Sequence, residues 1–379
     1  MHRRAAALAV PLTALALMVS SCGNIPEEWR TPAFMRMGDD QLDSRLPTVT
    51  GDVGEAPEVV FPDIDPPEEE ISGVVDRGPG EEELVRTDDL VVANVAQFQW
   101  TGPGEGEPVE GQSSYETGAP DLIRMSDMPE QISSVLVNQS VGSRAVYVFP
   151  PLTEEQQAQA EAMGQEAQVG ASVLIVDIMD RFGTGSVVPG EQTTDGGDGL
   201  PTVVQEGHSE PTIEIPDGDA PEDLEIVPLI EGTGDEVQAG QQVVVQYSGV
   251  RWEADDNGDH PVFDSTWTRG GVPFDTTIGA GAVIEGWDEG IVGQKVGSRL
   301  LLVVPGGMAY GETEEDAMGA PAGTLVFVVD LLGAFDNPPP EPEEDASGDE
   351  EAGDAESEDA DEDASDTEDE ESPAEEESE

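Results

Sequence analysis

Short runs rich in Val, Leu and Phe, bounded by Gly, Pro and Asp, recur along most of this chain and predict a protein built mainly from β-strands. The pattern at 283–290 differs, because Ile284, Trp287 and Ile291 recur at three- or four-residue spacing, which is typical of one short amphipathic helix. Many strands with one helix favour an α+β domain in which an antiparallel sheet wraps over the helix. In the later half of the chain, the clearest strand-like runs are 242–247, 300–304 and 324–332.

The strand pattern occurs twice, at an offset of about 150 residues. A period of that length indicates a duplicated domain rather than a solenoid repeat. We place the first copy at 46–182 and the second copy at 200–335. The matching segments are VVANVAQFQW (91–100) with VVVQYSGVRW (243–252), QSVGSR (139–144) with QKVGSR (294–299), and VLIVDIMDRF (173–182) with LVFVVDLLGAF (325–335).

The ionisable residues exclude several classes of function. The chain has 84 Asp and Glu against 14 Lys and Arg, a formal net charge of −70, so it repels phosphate backbones and we expect no nucleic-acid partner. Its 3 His residues lie far apart and its 1 Cys is near the start, so no His/Cys metal site, no Cys–His nucleophile and no internal disulfide can form. We expect neither a metal nor a cofactor.

The first residues have the form of an export signal. Arg3 and Arg4 precede an apolar run at 5–19, which is too short for a membrane-spanning helix. Val19-Ser20-Ser21-Cys22 resembles the lipobox of bacterial lipoproteins, which implies removal of residues 1–21, lipidation of Cys22 and anchoring at the outer face of the cell membrane. Two acyl chains suffice for stable anchoring. The alternative is an ordinary secretory signal that happens to contain a Cys.

Three segments have the composition of disordered chain, namely a tether at 22–45, a linker at 183–199 and an acidic tail at 336–379. The tail contains no Lys, Arg or aromatic residue, so it has almost nothing apolar to bury and repels itself. Its role is open between simple solubilisation and a specific task such as binding cations or keeping a distance from an anionic envelope.

The second copy resembles the FKBP-type peptidyl-prolyl isomerases along nearly its whole length. The segments that carry the resemblance are VVVQYSGV, VFDSTWTRGGVPFDTTIGAGAVIEGWDEGIVGQKVGSRLLLVVPGGMAYG and GTLVFVVDLL, in the family's order and at compatible spacings. The resemblance implies two domains of that fold, each with an antiparallel half-barrel sheet around a short helix. A proline ring would enter the hollow between sheet and helix.

The resemblance also implies the site residues. Trp287 would form the floor of the pocket, and the backbone N–H of Ile284 and the hydroxyl of Tyr310 would hold carbonyls of a bound peptide. Asp264 would line one wall near Tyr247. Taken singly, each aromatic is more often a core residue than a ligand contact, so the assignment rests on the set as a whole. The implied pocket residues are Tyr247, Phe263, Asp264, Phe274, Val283, Ile284, Trp287, Tyr310 and Phe327.

Three departures from the family pattern bear on substrate preference. The segment RWEADDNGDHPV before Phe263 is longer and more acidic than the usual turn. Thr276 stands where an aromatic residue is common. The loop GETEEDAMGAPAGT after Tyr310 carries carboxylates where apolar residues often lie, and Met318 is the expected apolar contact there.

Prolyl isomerisation suits a chain without catalytic His, Cys or metal. The barrier of ~18–20 kcal/mol comes from amide resonance, which twisting removes, so no acid, base or nucleophile is needed. A dry, preshaped apolar site that holds the twisted form better than the planar form is sufficient.

The first copy lacks the pocket residues. Val95, Gly111, Gln112 and Ile132 stand where Tyr247, Phe263, Asp264 and Trp287 stand in the second copy. No Tyr follows Pro150-Pro151, and the segment 152–168 predicts a helix instead. We expect a degenerate, folded and catalytically silent domain.

The resemblance therefore implies a peptidyl-prolyl cis-trans isomerase that acts on exported proteins. Its partners would be proline-containing unfolded or nascent exported polypeptides, with tacrolimus-like macrolides as pocket ligands. The alternative is a non-catalytic extracytoplasmic chaperone or binding module that retains the fold.

Overall fold

The computed structural model describes residues 42–80, 83–163 and 169–338, and all of them belong to one compact unit. The expected signal peptide, Cys22, most of the tether and all but the first residues of the acidic tail lie outside the described residues. Within the described ranges, no helix has the length and apolar character needed to cross a bilayer.

The first repeat is an antiparallel sheet with three short helices. Its main sheet has the order β3-β7-β8-β4-β5, and β6 pairs with the first four residues of β4. A separate hairpin, β1–β2, precedes the sheet. The strands are β1 (Thr48–Thr50), β2 (Glu58–Val60), β3 (Ile71–Asp76), β4 (Leu90–Gly102), β5 (Glu105–Ser113), β6 (Asp121–Arg124), β7 (Arg144–Phe149) and β8 (Ala171–Phe182). The helices are α1 (Ser114–Thr117), α2 (Glu130–Leu136) and α3 (Glu154–Ala162).

The second repeat has the same topology. Its sheet order is β11-β15-β16-β12-β13, β14 pairs with β12, and β9–β10 is the preceding hairpin. The strands are β9 (Thr202–Val204), β10 (Thr212–Glu214), β11 (Glu225–Ile230), β12 (Gln242–Arg251), β13 (Val262–Ser265), β14 (Phe274–Thr277), β15 (Arg299–Val304) and β16 (Leu325–Phe335). The helices are α4 (Glu285–Ile291) and α5 (Glu314–Ala317).

The two antiparallel sheets with few helices confirm the predicted α+β class, and their matching order and pairing are consistent with two domains of one fold. The predicted runs 242–247 and 300–304 fall within β12 and β15, the run 324–332 overlaps β16 from its second residue onward, and the predicted helix is α4. In the first repeat the helix predicted over 152–168 is α3, which covers 154–162; residues 164–168 lie outside the described part of the chain.

Each sheet is covered on both faces. In the second repeat, one face packs on α4 through Trp287 and Ile291, and the other face packs on the β9–β10 hairpin through Val203 and Ile213. Alternate residues of a strand point to opposite faces, so β15 supplies Leu300 and Leu302 to the helix side and Leu301 and Val303 to the hairpin side. The β1–β2 hairpin covers the first sheet in the same way. The sequence pattern did not predict these hairpins.

The expectation that 183–199 is a disordered linker is wrong. The segment contains no helix or strand, but Val188 is buried and its N–H donates to the Asp330 carboxylate at 3.0 Å. The N–H of Thr193 donates to the carbonyl of Leu229 at 2.8 Å. Backbone hydrogen bonds and one buried valine hold this connecting segment (residues 183–199) against the second repeat, which its Gly- and Asp-rich composition could not indicate.

The two repeats pack against each other through equivalent surfaces. Val92 of β4 and Val244 of β12, which correspond in the repeat, share one apolar cluster. Phe182 and Phe335, at the ends of β8 and β16, meet edge to face with ring centroids 6.3 Å apart. An Arg124–Asp275 ion pair joins the edge strands β6 and β14.

Candidate functional site

Three aromatic rings meet between the second sheet and α4. Tyr247 of β12 and Trp287 of α4 have ring centroids 5.0 Å apart at an interplanar angle of 88°. Phe327 of β16 lies 5.4 Å from Trp287 at 84° and 6.4 Å from Tyr247. All three side chains are buried. Edge-to-face contacts at these distances are the favoured geometry for aromatic pairs, so the rings hold one another in place.

Two half-buried rings extend this arrangement toward the surface. Phe263 of β13 lies 5.7 Å from Phe327, and Phe274 of β14 lies 5.9 Å from Tyr247, both edge to face. Gly249 permits the approach, because a Cβ atom at that position would stand 2.8 Å from the Phe327 ring. We call Tyr247, Phe263, Phe274, Trp287 and Phe327 the aromatic cluster.

A polar network fixes one side of the aromatic cluster. The Tyr247 hydroxyl donates to Asp264 Oδ2 at 2.5 Å, and Arg269 donates to both the Tyr247 hydroxyl at 2.7 Å and Asp264 Oδ1 at 2.8 Å. The guanidinium also lies over the Tyr247 and Phe274 rings, 5.3 and 5.9 Å from their centroids. Burial, together with the Asp264 carboxylate, raises the pKa of Tyr247, so the phenol stays protonated.

Arg269 was missed by sequence reasoning. It is an exposed arginine in a Gly-rich loop, and nothing in its sequence position shows that it reaches back to Tyr247. Its place within the segment VFDSTWTRGG, which carries the family resemblance, was the one available signal.

Three hydrogen-bond donors near the aromatic cluster have no acceptor among the described residues. Ile284 is the residue before α4, and its backbone N–H donates to no described residue. The Trp287 indole Nε1 is buried and has no acceptor among the described residues. Tyr310 is 45% exposed, and burial and the Asp264 charge raise its pKa, so its hydroxyl remains a donor. Unsatisfied donors beside apolar surface are suited to carbonyl groups of a bound chain.

The remaining predicted residues lie at the same place. Val283 and Ile284 are half-buried and pack on the apolar core that contains Trp287 and Phe327. The structure thus brings the predicted set together around α4, except that Tyr310 packs in no core cluster of the described residues and is linked to the site through the effect of the Asp264 charge on its pKa. It does not bring in Met318, which is 92% exposed with φ of 53° at the end of α5 and packs on no core cluster of the described chain.

The long acidic segment before Phe263 folds on itself. Asp255 accepts hydrogen bonds from the backbone N–H groups of Asn257 and Asp259 at 2.9 Å each, and the His260 ring nitrogen Nδ1 lies 3.2 Å from the Arg251 carbonyl. No group of metal-ligating side chains that could hold an ion occurs among the described residues. The surface around the aromatic cluster therefore presents apolar rings and hydrogen-bond donors.

In the first repeat the corresponding space is filled. The sheet register places Val95 at the position of Tyr247, and Ile132 is the third residue of α2 as Trp287 is of α4. Gly111 and Gln112 precede Ser113, which pairs with Ala96 as Ser265 pairs with Ser248 after Phe263 and Asp264. Tyr147 of β7 is fully buried, stacks on Phe149 and donates its hydroxyl to the Ile132 carbonyl at 2.8 Å. A tyrosine bonded to α2 therefore occupies the space between sheet and helix.

Comparison with known proteins agrees with this geometry. The family model described as FKBP-type peptidyl-prolyl cis-trans isomerase matches residues 234–332. An FK506-binding protein of Streptomyces anulatus is 43% identical over 125 residues, which is 32% of this chain and 94% of that protein. A probable FK506-binding protein of Corynebacterium glutamicum is 42% identical over 126 residues, which is 33% of this chain and 98% of that protein.

Among solved structures, the crystal structure of AtFKBP13 is 31% identical and covers 30% of this chain and 94% of that chain, with a TM-score of 0.25. All these matches are about one repeat long. Through its second repeat, the chain belongs to the family of FKBP-type peptidyl-prolyl cis-trans isomerases.

Proposed function

We propose that the second repeat is a peptidyl-prolyl cis-trans isomerase whose active surface is the aromatic cluster. The observation that carries this proposal is the perpendicular packing of Trp287 against Tyr247 and Phe327, beside the N–H of Ile284, which donates to no described residue. A proline ring is apolar and fits against such rings, while the carbonyls that flank it need donors. Both requirements are met within one part of the fold.

The chemistry follows from amide resonance. Twisting the X–Pro bond removes the resonance that makes the amide polar, so a dry apolar surface favours the twisted form over the planar form. The N–H of Ile284 and the hydroxyl of Tyr310 orient the chain during the rotation. Lowering the barrier by ~4 kcal/mol gives about a thousandfold acceleration. No proton is transferred to or from the protein.

The Asp264–Tyr247–Arg269 network holds one wall of the pocket. Tyr247 would otherwise present a buried hydroxyl to an apolar ligand, and leaving such a group unpaired costs about 1–3 kcal/mol. Asp264 accepts a hydrogen bond from this hydroxyl at 2.5 Å, and Arg269 donates a hydrogen bond to the hydroxyl oxygen at 2.7 Å. The ring edge is thus available for apolar contact while its polar end is satisfied.

We further propose that tacrolimus-like macrolides bind the same surface. Two relatives carry the name FK506-binding protein and share about four in ten residues with this chain over nearly their whole length. A macrolide that occupied the aromatic cluster would compete with prolyl peptides.

The proposed clients are proline-containing unfolded or nascent exported polypeptides, met at the outer face of the bacterial membrane. The support is the sequence at the start of the chain, where Arg3, Arg4 and the apolar run lead to Cys22. In a bacterial host the full chain should fractionate with membranes, and a Cys22→Ser variant should not. Equal fractionation of the two proteins would contradict the lipid anchor.

The first repeat is proposed to be catalytically silent, since Tyr147 fills its hollow. The first repeat also supports the alternative of a non-catalytic protein, because it retains the fold without the aromatic cluster. A binding-only chaperone would bind unfolded chains without accelerating isomerisation.

An isomerisation assay on the full chain separates the two functions. We expect Trp287→Leu to lower kcat/KM about tenfold or more, because the ring that contacts Tyr247 and Phe327 is lost, and Tyr310→Phe to lower it several-fold. Tyr115→Phe is the matched control, because it also removes a tyrosine hydroxyl, but one bonded to Asp177 in the first repeat. A wild-type rate equal to the uncatalysed rate would contradict the isomerase function and would favour the non-catalytic binding module.

A further inference from the structure

The loop that completes the aromatic cluster is held by the second repeat's own sheet, where Gln246 Nε2 donates to the Gly271 carbonyl at 3.1 Å, and also by contacts from outside that sheet. We call residues 266–275 the Arg269 loop. On its inner side it supplies Arg269 to Tyr247 and Asp264, and Phe274 to the Tyr247 ring. It ends in β14, an edge strand whose pairing is with β12. Edge strands and loops are the parts of a fold that open most easily, so outside contacts matter here.

The first outside contact comes from the connecting segment. The Gly185 N–H donates to the Gly271 carbonyl at 2.7 Å. Gly271 has φ of +80°, and a Cβ there would stand 2.7 Å from the Thr184 methyl group, so only glycine fits between the two segments. The Thr184 hydroxyl donates to Asp88 of the first repeat at 2.7 Å. The Arg269 loop is thus tied through Thr184 and Gly185 to the first repeat.

The second contact comes from the β9–β10 hairpin. The Trp267 indole Nε1 donates to the His208 carbonyl at 3.0 Å. The His208 ring nitrogen Nδ1 lies 3.0 Å from the Gly185 carbonyl. The hairpin loop and the connecting segment therefore contact each other as well as the Arg269 loop.

The third contact is direct. Arg124 of β6 forms an ion pair with Asp275, the residue after Phe274. Gln242 also donates to Asp275, from its own repeat, at 3.0 Å. Both partners of the ion pair are less than a third exposed, and the apolar contact of Phe182 with Phe335 lies in the same interface. Phe274 thus precedes a residue that the first repeat holds.

From these three contacts we propose that the first repeat and the connecting segment position the Arg269 loop, so that full isomerase activity of the second repeat requires the first repeat in the same chain. Arg124 is a positioning residue in this arrangement and does not touch the substrate. The inference rests on the proposed isomerase function. Small displacements at an active site are costly, about a hundredfold for ~1 Å in sensitive cases, so a shift of Phe274 and Arg269 lowers catalysis.

The test compares variants of the full chain. Arg124→Gln removes the ion pair while leaving the aromatic cluster untouched, and the charge-swapped pair Arg124→Asp with Asp275→Arg restores it in reverse. Arg45→Gln is the matched control, because Arg45, the last residue before the first repeat, pairs with the neighbouring Asp43 at 2.7 Å and with Glu69 of the first repeat at 2.8 Å. The readouts are kcat/KM, the dissociation constant of tacrolimus, and amide hydrogen exchange of residues 266–275.

We expect Arg124→Gln to lower kcat/KM and weaken tacrolimus binding about fivefold, to speed exchange in residues 266–275, and to leave the urea midpoint of unfolding near that of Arg45→Gln. The charge swap should restore most of the loss. A purely structural role for Arg124 would shift the midpoint without a local change in exchange.

Two outcomes overturn the positioning role. One is unchanged exchange and activity in Arg124→Gln; the other is a swapped pair that performs no better than the single variant. The proposed function fails separately, if the wild-type chain neither isomerises X–Pro peptides nor binds tacrolimus. Hydrogen exchange still decides the positioning role in that case, because it does not depend on activity.

Discussion

At the scale of single residues, Arg269 shows how one side chain links charge and packing. Its two terminal nitrogens bond different partners, Asp264 and Tyr247, while its plane lies over two rings. A lysine ammonium could form either bond but would not reproduce the fixed fork or the planar contact with the rings. The residue therefore matters for the shape of the site although it is partly exposed.

The burial of the Asp121 carboxylate lowers the stability of the first repeat. Asp121 begins β6 opposite Ala93, and no ion pair or hydrogen bond of its carboxylate to a described residue offsets its burial. Burial alone raises the pKa of Asp121 to about 6. The folded state therefore holds this proton more tightly than the unfolded state, in which the pKa of the carboxyl is 3.8.

We predict that Asp121→Asn raises the free energy of unfolding at neutral pH. A raised folded-state pKa means that the stability of the wild type is complete below the unfolded pKa and falls as pH rises through about 6. The gain from asparagine should be about 1–2 kcal/mol at about pH 7.5, allowing for partial solvent screening, and should vanish near pH 4.

Urea unfolding of the full chain at several pH values measures this gain. Asp65→Asn, at an exposed aspartate, is the control and should have little effect at either pH. A gain that is the same near pH 4 and near pH 7.5 would contradict a titration effect and point to a pH-independent packing change.

At the scale of elements, a buried ion pair ties an added segment to each sheet. In the first repeat, Arg144 and Asp177 pair at 2.6 Å, and Arg144 also donates to the carbonyls of Gly51, Asp52 and Glu55 in the loop of the β1–β2 hairpin. In the second repeat, the equivalent pair Arg299–Asp330 holds the connecting segment instead, through Val188. The same buried Arg–Asp pair therefore anchors a hairpin loop in the first repeat and the connecting segment in the second.

We predict that Arg299→Met lowers the free energy of unfolding of the second repeat by about 3–5 kcal/mol, because it leaves the Asp330 carboxylate buried without its counter-charge. The double variant Arg299→Met with Asp330→Leu should recover much of that loss, since neither charge is then buried. Urea unfolding measures both. A double variant that is less stable than the single variant would show that the bond from Val188 to Asp330 outweighs the charge effect.

At the scale of the whole molecule, self-repulsion opposes the compact state. The formal net charge of −70 gives the chain far more carboxylates than its 14 basic residues can pair. Most of the ion pairs in the described residues use the few arginines at interior or interface positions, such as Arg144, Arg181 and Arg299. The remaining carboxylates are left to repel one another through solvent.

We predict that the thermal midpoint rises with NaCl, mostly below about 0.2 M. The Debye length falls from ~30 Å at 0.01 M to ~8 Å at 0.15 M, which screens the repulsion between exposed carboxylates. A gain of about 1 kcal/mol corresponds to a rise of roughly 2–4 °C for repeats of this size. An equal concentration of glycerol is the uncharged control. A midpoint that is flat below 0.2 M would contradict the role of self-repulsion.

The amino-acid sequence was sufficient to predict the repeat, the strand pattern, the helix at Trp287 and, through the resemblance, the residues of the aromatic cluster. These features depend on local periodicity or on motifs that are contiguous in the chain, such as VFDSTWTRGG. It also indicated that Val95 and Ile132 cannot replace Tyr247 and Trp287, because aliphatic side chains offer no ring.

The contacts between distant segments became evident only from the three-dimensional packing. Composition marked 183–199 as a linker, yet Gly185 and Val188 bond to loops and strands more than eighty residues away. Arg124 and Asp275 read as ordinary surface charges until the packing of Phe182 on Phe335 brings β6 and β14 together. Periodicity reports which face of an element is apolar, but the partner of that face is set by the whole fold.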